Sequence, residues 1–297
     1  MAELWKGAPA TAALGEELRA KVKTLNEKGV VPKLAILRVG EREDDLAYER
    51  GAKKRCESVG VAVEIIALPA DASQEEILQA VHEINEDESI HGCLMFRPLP
   101  RKEDEEKACA LLKPEKDVDG MTPGSLASVF AGKGAGYPPC TAKACMEMLK
   151  YYGVSPEGKR AVVIGRSLVI GRPVSMMLQS ANATVTMCHT RTVDLPSICR
   201  EADILVVAAG RAGVVGAECM NPGQVVIDVG IHVNADGQMC GDVRLDEAMN
   251  ACRAITPVPG GVGTMTSSVL AAHVIDAAER KAAPALRSAI EGKSGRA

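Results

Sequence analysis

The chain has 297 residues, 46% of them apolar and 25% charged, with a formal net charge of −4 and 2% aromatic side chains. That length exceeds a usual single core, so two domains are expected, and the composition is that of a water-soluble globular protein. The acidic balance, the lack of a basic tract and the scarcity of rings argue against nucleic-acid binding, and no apolar run reaches the roughly 20 residues that span a bilayer.

The N-terminus, Met1-Ala-Glu-Leu-Trp-Lys6, lacks the basic-then-apolar order of a secretion signal. Ten cysteines stand far apart, several inside apolar runs, and read as buried free thiols of a reducing cytoplasm. Neither they nor the five scattered histidines form a metal-ligand set, so no metal is expected.

Strand and helix signals then alternate. Residues 33–39 read as a strand, 44–60 as a helix, 61–68 as a strand, 73–86 as a helix, and 91–96 as a buried strand ended by Pro98 and Pro100. Repeated βα units imply a parallel sheet. A Gly/Pro-rich passage from Gly132 to Pro139 interrupts the pattern before a helix at about 143–152. Short apolar strands at 162–164, 183–188, 204–208 and 225–229 follow, with a fifth at 255–258, and a last helix runs from about Thr266 through Arg280. This is the pattern of a doubly wound sheet.

The segment from Ala161 to Pro173 carries the chemistry. An apolar strand breaks at Gly165 into a turn, Arg166-Ser167-Leu-Val-Ile, that ends at Gly171 and opens a helix. Gly165 relieves a Cβ clash, Gly171 permits close packing, and the first helical N–H groups, about Arg172 to Met177, are expected to offer donors to a phosphate. The loop reads G-x-S-x-x-x-G, a departure from the usual G-x-G-x-x-G fingerprint. Strand two ends in Cys188-His189-Thr190-Arg191-Thr192, with no acid before Asp194. A carboxylate there would accept from the 2′-OH of NAD, whereas cations and hydroxyls suit the 2′-phosphate of NADP, so NADP is preferred. Ala209-Gly210 and Gly230-Ile231 end strands three and four with glycines that let a ring or ribose approach the backbone.

Several motifs in order resemble one family, the bifunctional methylenetetrahydrofolate dehydrogenase/methenyltetrahydrofolate cyclohydrolases. They are Val39-Gly40 with Tyr48, Lys116-Asp-Val-Asp-Gly120, Pro139-Cys-Thr141, Val163-Ile-Gly-Arg-Ser167, Cys188-His189, Val226-Ile-Asp-Val-Gly-Ile231, and the run Thr256-Pro-Val-Pro-Gly-Gly-Val-Gly-Thr-Met-Thr266. The resemblance implies an α/β fold with an N-terminal folate domain (1–138), a C-terminal Rossmann-type NADP domain (139–266) and a final helix (267–297) returning to the first domain. It also implies a folate lying against the nicotinamide in a cleft between domains, and a homodimer. It assigns Gly165, Arg166, Ser167, Gly171, His189, Thr190, Arg191, Ala209, Gly210 and Ile231 to the cofactor. Tyr48 falls to the folate ring and Asp119 to the pterin end, both as catalytic and substrate-binding residues, and Pro259, Gly260 and Gly261 to the substrate.

The departures from the family pattern concern the second activity. The pattern S-x-x-Tyr-x-x-x-Lys carries the lysine of the cyclohydrolase step, and here Asp45 stands at the serine, Tyr48 at the tyrosine and Ala52 at the lysine. The glutamine that partners that lysine is replaced by Phe96. Lys53 and Lys54 are near, but each residue of a helix turns its side chain by about 100°, so neither points where Ala52 does. Ala142 and Thr264 stand where prolines are usual, and Arg97 has no counterpart; it either caps the cleft, contacts a glutamate tail, or is a surface residue. The expected activity is an NADP-dependent dehydrogenase with weak or absent cyclohydrolase. The alternatives are a bifunctional enzyme that recruits Lys53 or Lys54, and a non-catalytic folate-binding regulator.

Overall fold

The computed structural model describes residues 1–234 and 237–294, with side chains through Ala283. In chain order the first elements are β1 (Glu3–Leu4), α1 (Gly7–Glu27), β2 (Lys33–Val39), α2 (Glu43–Ser58), β3 (Ala62–Leu68), α3 (Gln74–Glu86), β4 (Gly92–Met95), α4 (Lys102–Leu111) and α5 (Pro123–Ala131). The remainder are α6 (Cys140–Tyr151), β5 (Arg160–Ile164), α7 (Gly171–Ser180), β6 (Thr184–Cys188), α8 (Leu195–Arg200), β7 (Ile204–Val207), β8 (Val225–Asp228), β9 (His232–Val233), β10 (Met239–Cys240), α9 (Leu245–Ala251), β11 (Ala254–Ile255) and α10 (Thr266–Ser294).

The chain forms two compact units, one of residues 1–13, 128–134 and 138–269, the other of 14–127, 135–137 and the segment from Leu270 onward. The second holds a parallel sheet in the order β3-β2-β4. Leu34, Ala35, Ile36 and Leu37 of its central strand are wholly buried, which is why this strand reads as an unbroken apolar run. Its edge strand β3 is mostly exposed. Helix α3 starts with a capping box: Ser73 Oγ accepts from Glu76 N at 3.2 Å, and the Glu76 carboxylate accepts from Ser73 N at 2.7 Å. His273 of α10 contacts the Val118 carbonyl at 2.8 Å, and Arg280 lies over the Tyr137 ring, so the last helix is tied to this unit.

The first unit is built on a six-stranded parallel sheet, β1-β11-β8-β7-β5-β6. Strand order reverses between β5 and β7, and in such sheets the ligand crevice lies outside the carboxyl ends of the strands at that point. A core of Val162, Ile164, Leu205, Val207, Val226 and Ile255 lies under it. The boundary expected at residue 138 does not anticipate that Glu3 and Leu4 pair with Ala254 and Ile255 in this sheet. Strand β11 is shorter than the expected 255–258, and α10 continues beyond Arg280 to Ser294. Helix α6 begins at Cys140 rather than Lys143, because the Pro139 carbonyl already accepts from Lys143 N at 3.0 Å.

Candidate active site

At the end of β5 the backbone of Gly165 takes φ +126°, and a Cβ there would collide with the Ala208 carbonyl oxygen. Its N–H donates to the Cys188 carbonyl at 2.9 Å, so the turn is fixed to the end of β6. A Cβ on Gly171 would strike the Gly165 carbonyl, which explains the second glycine. Between them Ser167 Oγ accepts from Ile170 N at 3.1 Å and Gly171 N at 3.4 Å. The first turn of α7 is therefore less open than expected. Arg172 N donates to the Ser167 carbonyl at 3.0 Å, Val174 N to the Ile170 carbonyl at 2.9 Å, and Pro173 has no N–H. Free donors between Arg172 and Met177 thus give way to a loop held by Ser167.

Above this loop lies a cavity of about 500 Å³, within the size range of cofactor sites. It is lined by Gly165, Arg166 and Ser167, by His189 and Thr190 after β6, by Ala208, Ala209 and Gly210 after β7, and by Val229, Gly230, Ile231 and His232 after β8, with Asp242 beside them. Eight of the expected cofactor residues line it. Gly171 does not, standing behind the loop, and neither does Arg191, which is exposed and whose N–H donates to His189 Nδ1 at 3.1 Å. A glycine-bounded turn beside apolar walls, in a cavity of this volume, fits a nicotinamide dinucleotide.

The sequence reading missed the polar hub of this cavity. Asp242 accepts from Gly210 N at 3.0 Å and Arg211 N at 2.9 Å, and its Oδ1 lies 2.7 Å from His232 Nε2. Behind it, buried Asp228 accepts from Gly230 N, Asp242 N and Val243 N at 3.0–3.1 Å. Burial, aided by the charge of Asp242, pushes the Asp228 carboxyl up to about 6 against the pull of these N–H groups. Asp228 sits inside a strand run and Asp242 fourteen residues later, a pairing that periodicity does not reveal.

In the other unit, Tyr48 on α2 is 39% exposed, its ring meeting Phe96 edge to face at 5.8 Å. The buried face of α2 is Asp45, Glu49, Ala52 and Cys56, spaced as one helical stripe. Glu49 pairs with buried Arg38 at 3.0 Å. Ala52 and Phe96 are buried at 1% and 8% exposure, whereas Lys53 and Lys54 are exposed and the Lys53 ammonium stands 3.9 Å from Glu57. Arg97 is held inside its own unit, 3.4 Å from the Glu105 carboxylate and 3.2 Å from Met121 Sδ.

The run Lys116-Asp-Val-Asp-Gly120 divides its labour. The Lys116 ammonium donates to the carbonyls of Ile84 and Asp87 at 2.5 and 2.7 Å, at the end of α3. The buried Asp117 carboxylate accepts from Met121 N at 3.1 Å and Thr122 N at 2.7 Å. Asp119 is half-buried, next to Gly120 at φ +71°. In the first unit, Pro259 and Gly260 are exposed, and the Gly260 carbonyl accepts from Gly7 N at 2.8 Å. The Gly261 carbonyl accepts from Thr264 Oγ1 at 2.8 Å, a bond that stiffens the turn where the family carries proline.

Comparison with known proteins agrees with this anatomy. The family model "Tetrahydrofolate dehydrogenase/cyclohydrolase, catalytic domain" matches residues 5–119, and the model for the NAD(P)-binding domain of the same family matches residues 139–282. The bifunctional protein FolD of Carboxydothermus hydrogenoformans is 53% identical over 281 residues, covering 94% of this chain and 98% of that protein. Among solved structures, the FolD dehydrogenase/cyclohydrolase of Campylobacter jejuni superposes with a TM-score of 0.90 at 36% identity, over 95% of this chain and all of that one. The FolD of Trypanosoma brucei, complexed with NADP and inhibitor, gives 0.85 at 36% identity, over 94% and 98%. The chain therefore belongs to the tetrahydrofolate dehydrogenase/cyclohydrolase family.

Proposed function

We propose that this chain oxidises 5,10-methylenetetrahydrofolate to 5,10-methenyltetrahydrofolate with NADP, and that it hydrolyses the product weakly or not at all. The dehydrogenase half follows from the family and from the cavity. NADP is supported by the Trypanosoma brucei relative, by Arg166 and Thr190 on the cavity wall, and by the absence of a lining carboxylate at the β6 end. Gly165, Arg166, Ser167, His189, Thr190, Ala209, Gly210 and Ile231 hold the dinucleotide, with Gly171 supporting the loop and Arg191 contributing from solvent. Tyr48 and Asp119 bind and orient the folate, and Pro259, Gly260 and Gly261 complete its contacts.

The nicotinamide supplies a hydride acceptor when bound. The residues of the chain then have one task, to orient the methylene carbon and keep water away, because the resulting amidinium cation is stabilised by its own nitrogens. Hydrolysis asks for more: water must be activated and a tetrahedral adduct broken down, for which a placed polar group is worth about 10²–10⁴-fold. The observation that carries this reading is the pair of buried apolar residues Ala52 and Phe96 at the family's lysine and glutamine positions. Lys53 and Lys54 face solvent and do not stand in for them. Intact nucleotide glycines weigh against a merely folate-sensing protein. A homodimer in the cytoplasm, as in the family resemblance, completes the proposal.

The test follows NADPH and the methenyl chromophore separately after addition of methylenetetrahydrofolate. The chromophore should accumulate in step with NADPH and then decay no faster than in buffer. Decay in proportion to enzyme would sink the reading.

A further inference from the structure

His232 and Asp242 both line the nucleotide cavity, and their contact brings an imidazole and a carboxylate together on its wall. The Asp242 side chain is wholly buried and that of His232 is 24% exposed. Asp242 cannot swing away, because it accepts from the backbone N–H groups of Gly210 and Arg211 while its own N–H donates to Asp228. It is thus a fixed negative charge at the cavity edge. Strand order says which edge. The loop after β5 takes the pyrophosphate and the end of β6 the adenosine ribose, so the ends of β7 and β8, where the pair stands, face the nicotinamide half.

We propose that His232 and Asp242 form a charge-compensating pair that sets the preference of this cavity between oxidised and reduced nicotinamide. The inference rests on the dinucleotide reading above. The oxidised ring is a cation and the reduced ring is neutral. With a neutral imidazole, the carboxylate of Asp242 is uncompensated and favours the cationic ring. With an imidazolium, the pair is neutral overall and that advantage is lost. An imidazole changes its charge by taking up one proton, so the balance follows the protonation of this ring. The other charged or titratable groups around His232 are Asp228 behind Asp242, Cys240 across the β9–β10 pair, Arg211 after β7, and Arg166 and His189 on the far cavity wall. The two arginines keep their charge, so they offset the level but not the slope, whereas the Asp228 carboxyl, at about 6, adds a slope of the same sign that does not depend on His232.

The test measures dissociation constants of NADP⁺ and NADPH from about pH 5.5 to about 8.5 by calorimetry, for the unmodified protein and for His232→Gln, which keeps a donor but has no titrating charge. In the unmodified protein the ratio Kd(NADP⁺)/Kd(NADPH) should fall roughly 3- to 10-fold from the acid to the alkaline end. In His232→Gln the change should shrink at least about twofold, to the part that the neighbouring Asp228 carboxyl contributes. His232→Asn supplies the same comparison if the glutamine variant does not fold. A flat ratio in the unmodified protein, or an equal slope in the variants, overturns the pair while leaving NADP binding intact. Failure of both nucleotides to bind at any pH would overturn the NADP reading and this inference together.

Discussion

The nucleotide cavity and the α2 face of the other unit treat polar groups in opposite ways. Around the cavity the chain places groups that suit a charged ligand: Gly165 and Gly171 shape the loop, Arg166 lines it, and Asp242 is anchored by backbone donors. Beside Tyr48 the two polar positions of the family pattern are filled by Ala52 and Phe96, and the aromatic edge contact closes the space between Tyr48 and Phe96. Loss of one member would strand the other without a partner, at about 1–3 kcal/mol; loss of both leaves no buried group unsatisfied. The contrast bears on the two chemistries that the family's name combines, orientation for hydride transfer and activation of water.

The contrast breaks most visibly if the polar pair is put back. The double variant Ala52→Lys with Phe96→Gln should raise enzyme-dependent decay of the methenyl chromophore by about 10²–10⁴-fold. Each single change should do much less than the pair, since each buries a polar group alone. Equal rates in single and double variants would mean that other groups activate water.

A second pair of substitutions sharpens the comparison within one motif. Asp119→Ala should raise the folate KM at least tenfold, about 1.4 kcal/mol or more, with the NADP dissociation constant within about twofold of normal. Asp117→Ala should instead lower the unfolding free energy by about 1–3 kcal/mol, because the N–H groups of Met121 and Thr122 lose their acceptor. A purely structural effect of Asp119→Ala would exchange these outcomes.

Within the cavity, Arg166→Ala should weaken NADP by about 1.5–3 kcal/mol and NAD much less, read as the change in kcat/KM preference. Arg191→Ala should shift it less, since Arg191 is exposed and stands outside the lining. An equal effect of both would place the 2′-phosphate farther from the loop.

The last effect is confined to a window of pH. The folded Asp228 carboxyl, at about 6, lies above its ordinary value of 3.8, so the folded protein holds this proton more tightly than the unfolded chain. Its contribution to stability is present in full below about pH 4 and is lost as pH rises through about 6. The stability difference between the natural protein and Asp228→Asn, followed by urea unfolding, should therefore change over that window by roughly 2–3 kcal/mol, about 1.4 kcal/mol for each unit between the ordinary and the folded value. A difference independent of pH would show the carboxylate to be ionised throughout.

Much of this was legible beforehand, for reasons that differ by element. Strands β2, β5, β7 and β8 are covered on both faces, and their unbroken apolar runs announce them. Helix α1 gives little signal although its buried positions Gly7, Ala10, Thr11, Gly15, Leu18, Val22 and Leu25 fall at helical spacing. Four of the seven are small or polar residues, so the face carries little hydropathic contrast. The glycine loop was readable because backbone geometry demands glycine there. Arg166 and Arg191 were not distinguishable, since the direction of a loop side chain leaves no periodic trace. The Asp228–Asp242 ladder was invisible because its two acids belong to different segments.

The pairing of β1 with β11 has a consequence for biosynthesis. Glu3 and Leu4 find their partners only at Ala254 and Ile255, with Ala2 N bonded to the Met249 carbonyl. At synthesis rates of about 5–20 residues per second, the leading segment must wait on the order of tens of seconds for those partners to emerge. During that interval buried Trp5, whose ring stacks on Tyr152 at 4.4 Å, lacks the Ile255 carbonyl that accepts its backbone N–H. The sheet that carries the nucleotide cavity therefore gains Glu3 and Leu4 only after Ala254 and Ile255 have been made.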